Sequence, residues 1–338
     1  MNLQTKILSS ICIILTLVIL GLLIWLVVKN KDKFTILHTA MHEHQDAVHN
    51  TTSEWGDVND LTNIRFLGHF DRGDEIILWS EGMIQYILQH YPKSYFLTLQ
   101  NCGKGQPKCV SFDMSGHTAC IISCCDSTFP VGYVTKDIDR ILQHQIVFAQ
   151  NLDRTQLTDK DSQKVRCLPI GLDFHTLTLR PLWGEPQTPW KEQIKMLTSL
   201  RQSSKPIHER IPKVAVTWTR TSRPEIFDEC ASNPIFVNAV GTRTESWNEM
   251  VKYGFVYSPI GNGYDCHRTW EAIALGCIVI AQTNPALVDI KNSYPEMPIV
   301  FCDRPGKLTE FELIQWLETV WPLELQKMRF QNFIRLDK

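Results

Sequence analysis

The stretch FVYSPIGNGYDCHRTWEAIALGCIVI, residues 255–280, decides the fold. It reads as strand, glycine loop, helix and strand in succession. Phe255, Val256 and Tyr257 form a short apolar, β-prone run bounded by Pro259 and Gly261. Gly261-Asn262-Gly263 supplies a loop that tolerates positive φ and close backbone approach. Asp265 is placed to cap a helix that begins near Cys266, its carboxylate accepting first-turn amide hydrogens. The pattern carries that helix to about Leu275, where Gly276 stops it, and Cys277-Ile278-Val279-Ile280 reads as a buried strand.

The chemistry follows from the helix start. Free amides and the positive end of the helix dipole make a site for a phosphate. Arg268 and Glu271 are three apart and share a helix face, as do His267 and Glu271 at four. A cation, an imidazole and a carboxylate are thereby aimed together beside a prospective anion site. Glu271 suits the two hydroxyls of a ribose, and Arg268 or His267 the phosphates, with Gly261 and Gly263 letting the backbone come close. The competing reading is a helix capped by Asp265, with Arg268 and Glu271 an exposed ion pair.

The run HRTWEAIALGCIVI resembles the signature of the exostosin-like (family 47-type) glycosyltransferases, in which an Arg, an aromatic, Glu-Ala and Gly-Cys recur at this spacing before a strand. Arg268, Trp270, Glu271, Ala272, Gly276 and Cys277 match, and Val279 stands where the family commonly has a proline. Agreement is looser from about Lys213 onward. The resemblance implies a GT-B architecture, two Rossmann-like α/β domains facing a cleft, with the residue at Glu271 holding the ribose of a sugar nucleotide. It also implies a catalytic domain in the secretory lumen of the Golgi or endoplasmic reticulum, inversion at the transferred carbon, and a glycan or glycoprotein acceptor.

Composition is that of a globular chain. The chain has 338 residues, 43% hydrophobic and 21% charged, enough for a core and long enough for two domains. A net charge of −2 suggests no nucleic-acid partner. Residues 7–28 carry no charged side chain and are long enough to cross a bilayer as a helix, without a small-residue cleavage site. They are expected to anchor the chain, leaving 1–6 as a short tail. The charge bias of Lys29, Lys31 and Lys33 favours a cytosolic C-terminal domain by the positive-inside rule, against the lumenal one of the family. The lumenal orientation is the one adopted.

Residues 29–60 are polar and histidine-rich (His38, His42, His44, His49) and read as a stem, with Asn50-Thr51-Thr52 a glycosylation sequon if lumenal. Residues 61–182 alternate strand-like runs (76–79, 95–99, 120–125, 146–149, 165–170) with helical patterns, which implies a largely parallel sheet. Ligands of such sheets lie beyond the carboxyl ends of the strands, where Asp126, Asn151 and Asp153 fall. The proline-bearing segment 183–212 connects to a second α/β domain, 213–338, with a helix expected near 190–200. That domain opens with a strand at 213–218. The following loop, Thr219-Arg220-Thr221-Ser222-Arg223, is either a diphosphate clamp or a solvated basic turn. Further strands are expected at 235–239 and 299–302, and helices at 246–253 and 308–321.

Several motifs are set aside. There is neither a P-loop nor a GxGxxG fingerprint, which speaks against a nucleotide-dependent oxidoreductase. Asp137-Ile138-Asp139 precedes a helical pattern and reads as a helix start, so no metal and no cofactor is expected beyond the sugar-nucleotide donor. Of the 11 cysteines, Cys102 and Cys109 suit a small disulfide, while Cys120, Cys124 and Cys125 read as buried thiols sooner than as zinc ligands together with His117. The acceptor's base is expected from the first domain, with His69, Asp71, Asp74 and Asp126 as unranked candidates. The alternative of another class is a non-catalytic carbohydrate-binding or partner subunit on a degenerate transferase fold.

Overall fold

The structure, a computed structural model, describes residues 141–182 and 184–328, together with 83, 87, 90, 91, 94–98, 119–123, 128–131, 138 and 139. All of these fall in one compact unit, Arg65–Lys338. The anchor at 7–28, the stem, the sequon, the Cys102–Cys109 pair and the base candidates His69, Asp71, Asp74 and Asp126 lie outside the described residues. Among the described residues no helix is long and apolar enough to cross a membrane.

The molecule is mixed α/β and is built on two parallel sheets. The first holds β1 (Ser94–Thr98), β2 (Ala119–Ser123), β3 (Ile146–Ala149) and β4 (Val165–Cys167) in sequential order. Its register pairs Cys120 with Val147 and Phe148 with Arg166. One face buries Cys120, Ile122, Val147, Ala149 and Val165 against Phe129, Ile141 and Leu152. Cys120 is thus a core thiol, and burial pushes it far above its ordinary range, as the buried-thiol reading requires. Ile138 and Asp139 are helical, as a helix start there demands. The strand expected at 165–170 ends earlier, at Cys167. The chain then runs as a loop to Gly171, where φ reaches +68°.

A short helix, α1 (Asp159–Ser162), lies between β3 and β4, and a second, α2 (His175–Leu179), follows β4. Helix α3 (Trp190–Ser203) then crosses to the second sheet. That sheet contains β5 (Ile211–Val216), β6 (Phe236–Asn238), β7 (Tyr253–Ser258), β8 (Ile278–Ala281) and β9 (Ile299–Phe301). Their order is β6-β5-β7-β8-β9, all parallel. Strand β5 begins two residues before the expected 213. Pro212 has no amide to donate, and the register against β7 shifts between Ile211 and Val214.

Alternation puts Val214, Val216, Phe255, Tyr257, Ile278 and Ile280 on one face, under α4 (Pro224–Ala231) and α8 (Glu310–Thr319). Ala215, Val256 and Val279 face the other way, toward α5 (Arg243–Met250) and α6 (His267–Ala274), whose Trp247 and Trp270 are fully buried. Burial on both faces explains why these strands are continuous apolar runs. The remaining helix, α7 (Pro285–Ser293), starts on Asn284, whose side chain accepts from the Leu287 amide. At Val279 the amide donates to Pro298 O at 2.8 Å, a ladder bond that a proline there could not make.

Two helix starts correct the sequence reading. Helix α5 begins at Arg243 and not at 246, because Thr242 and Glu245 form a reciprocal capping box. Helix α6 has Cys266 as its N-cap, with no side-chain cap bond, so Asp265 does not cap it. The Asp265 carboxylate is taken instead by Trp270 Nε1 at 2.8 Å and by the amide of Ile170 at 2.8 Å.

Candidate functional site

Strand order locates the site. After β5 the chain places β6 on one side and β7 on the other, so the connections leave the carboxyl ends of β5 and β7 in opposite directions. A crevice for a ligand forms at such a switch point. The loops 217–223 and 259–266 and the N-terminus of α6 lie at this switch point.

Arg223 joins the two loops, donating from Nε to Ile260 O at 2.5 Å. A Cβ placed on Gly261 would lie 3.5 Å from Arg223 Nη2 and 3.6 Å from Cys266 Cβ, so Gly261, Arg223 and the start of α6 are adjacent. Arg268, in the first turn of α6, has Nη1 3.9 Å from Cys266 Sγ. Burial, with the neighbouring Arg268 charge, lowers the Arg223 guanidinium from its ordinary value. Among the described residues neither arginine has a carboxylate partner. Two half-buried arginines without a carboxylate partner among the described residues, beside a helix start with no side-chain cap, are the arrangement that suits an anion. Arg220, the other arginine of the proposed clamp, points elsewhere. Its Nε and Nη2 both donate at 2.7 Å to Asp228 of α4, in an exposed bidentate pair.

Glu271 lies one helical turn further along α6. Its side chain is 13% exposed, and Oε1 sits 3.6 Å from Arg243 Nε. The exposed Arg268–Glu271 pair that their spacing permits does not form. At 3.6 Å the Arg243 contact is an ion pair without a hydrogen bond, and the carboxylate has no hydrogen-bond donor among the described residues. A mostly buried carboxylate with its acceptor sites unspent is suited to a ligand's hydroxyls.

The rest of the predicted loop meets the first sheet. A Cβ on Gly263 would come within 2.8 Å of Asn151 Oδ1 and Nδ2, so the close approach this glycine permits is taken by Asn151. Asn151 follows β3 at φ +49°, and its Oδ1 accepts the Asp265 amide at 2.7 Å. His267 donates from Nδ1 to Gly171 O at 2.7 Å. Asp265 is wholly buried, and that burial pushes its carboxyl up to about 6 against the hydrogen bonds that lower it. Asp153 caps the short turn Arg154–Gln156 by accepting from the Thr155 amide. Arg154 in turn grips Asp289 of α7 with two bonds, 2.6 and 3.0 Å.

Arg243 is the residue that reading the sequence missed. Its side chain is 6% exposed, and it donates from Nη1 to Asp173 O at 2.6 Å and to Gln193 Oε1 at 3.0 Å. The signal was present as Thr242-x-x-Glu245, which places Arg243 at the first helical position. Its partner Glu271 was not legible, since they are neighbours only through the packing of α5 on α6. No protein-family model matches the chain, and no curated protein matches it.

Proposed function

We propose that the crevice at the ends of β5 and β7 is the donor site of a glycosyltransferase that moves a sugar from a nucleoside diphosphate to an acceptor hydroxyl. The observation that carries this is Glu271, largely buried and without a hydrogen bond among the described residues, one turn from Arg268, with Arg223 beside the start of the same helix. In this reading Glu271 accepts from the ribose hydroxyls. Arg223, Arg268 and the first-turn amides of α6 take the charge that grows on the departing diphosphate. A carboxylate or imidazole of the first half, among His69, Asp71, Asp74 and Asp126, removes the acceptor proton. The finer architecture belongs to the same reading: a GT-B pair of domains and a single span at 7–28, with the enzyme facing the Golgi or endoplasmic reticulum lumen and acting on a glycan or glycoprotein.

One observation favours the non-catalytic alternative. Asn151 fills the approach at Gly263, and His267 is bonded to Gly171, so part of the loop serves the protein's own packing. A titration of uridine and guanosine diphosphates into the full-length chain in detergent separates the readings. As a donor-site carboxylate, Glu271→Ala weakens nucleotide binding by about 2–4 kcal/mol, roughly 30- to 1,000-fold. Equal binding by wild type and Glu271→Ala removes the donor-site assignment.

A further inference from the structure

We propose that Arg243 is the positioning residue for Glu271, and that it ties the placement of this carboxylate to Asp173 in the loop after β4 of the first sheet. The inference rests on the donor-site reading above and adds a specific residue to it.

The argument begins with how firmly Arg243 is held. The capping box at Thr242 and Glu245 fixes the first turn of α5, and the guanidinium lies over the Trp247 ring with 5.7 Å to its centroid. Its Nη1 donates to Asp173 O and Gln193 Oε1, and its Nη2 lies 3.3 Å from Asp173 Oδ2. Asp173 is itself fastened, since Thr176 donates to it from the amide at 3.0 Å and from Oγ1 at 2.8 Å. Gln193 is fully buried on α3 and donates to Phe174 O at 2.9 Å. A planar fork anchored along one edge has its remaining edge aimed in a set direction. That edge is Nε, and it faces Glu271 Oε1 at 3.6 Å.

The distance matters for function. A guanidinium in direct hydrogen-bond contact would consume the carboxylate's acceptor sites. At 3.6 Å it offsets the cost of burying the negative charge while leaving those sites for a ligand. Asp173 follows β4, whereas Glu271 follows β7, so Arg243 links the ribose contact to a loop of the first sheet. A shift of that loop would re-aim the fork and, with it, Glu271.

The test compares uridine diphosphate and guanosine diphosphate with their 2′,3′-dideoxy counterparts, titrated into the full-length chain in detergent. The ratio of the two affinities reports the carboxylate–hydroxyl contact, and a loss of general stability moves both affinities together. Wild type is expected to prefer the ribonucleotide by about tenfold or more. Glu271→Ala should bring the ratio to one. Arg243→Lys keeps the charge, loses the fork, and should lower the ratio severalfold with the thermal midpoint measured alongside. If Arg243→Lys fails to fold, Asp173→Asn decides, because it loosens the grip on Arg243 without touching Glu271. A wild-type ratio of one, or no binding of either nucleotide, sinks the donor-site reading and this proposal together. A high wild-type ratio that Glu271→Ala abolishes, and that the folded Arg243→Lys or Asp173→Asn variant retains, overturns this proposal alone.

Discussion

Asn151 accepts the amide hydrogen of Asp265 through Oδ1 at 2.7 Å, and this bond fastens the glycine loop after β7 to the end of β3. Both partners are buried, and the approach is close enough that Gly263 has no room for a side chain. Gly263→Ala should therefore destabilise the protein by about 1–3 kcal/mol, since its Cβ must push Asn151 off the Asp265 amide. Asn151→Ala should cost a similar amount, roughly 1–3 kcal/mol, by leaving that amide unpaired and putting alanine in the left-handed region. Urea unfolding midpoints measure both, and wild-type stability in either variant would contradict the role given to the bond.

The buried Asp265 carboxyl makes a pH dependence. Burial raises it from its ordinary 3.8 to about 6, so between these values the folded chain holds a proton that the unfolded chain has lost. Stability from this group is fully present below about pH 3.8 and is lost as the pH rises through about 6. The loss is at most about 3 kcal/mol. Asp265→Asn should lack this slope. Unfolding free energies of the two proteins between pH 4 and 7 should converge or diverge accordingly, and parallel curves would show that Asp265 does not titrate in this window.

The two arginines of the 217–223 loop should behave differently. Arg223 bridges to the 259–266 loop and has no carboxylate partner among the described residues, so Arg223→Ala should weaken a nucleoside diphosphate by about 10- to 100-fold and the nucleoside little. Arg220 is 62% exposed and held by Asp228, so Arg220→Ala should change either affinity less than about twofold. Titration of both ligands into both variants checks this. Equal losses for nucleoside and nucleoside diphosphate in Arg223→Ala would make the loop structural.

Val279→Pro should destabilise the protein. It removes the bond from the Val279 amide to Pro298 O in the interior of the second sheet, at a cost of about 1–3 kcal/mol. Thermal unfolding measures it, and an unchanged midpoint would mean the β8–β9 edge accommodates proline.

Much of the second sheet was legible because its signals are local. The run 255–280 places β7, α6 and β8 within two residues of their bounds, since apolar continuity, the glycine pair and Gly276 act through neighbouring residues. At Gly276, φ is +80° and the face that lacks a Cβ is covered by the Arg201 guanidinium, which makes the stop both conformational and steric. Helices α4 and α7 went unread although Pro224 and Pro285 mark their first turns, because each follows a loop whose polar composition masks the apolar period.

By itself the sequence determined the class of structure: parallel strands alternating with helices, a glycine loop entering a helix, and Arg268 and Glu271 on that helix. Only the tertiary structure decided the partners. Asp265 looks like a cap from its position, yet it is drawn to Trp270 and Ile170 because the first sheet's loop packs over it. Arg220 and Arg223 look equivalent until the switch between β5 and β7 puts one in the crevice and leaves the other beside α4. Glu271 looks like a partner for Arg268 until α5 brings Arg243 against it. The reason is physical: helix and strand propensity are set over a few residues, whereas a charge takes whichever partner the packing of distant elements delivers.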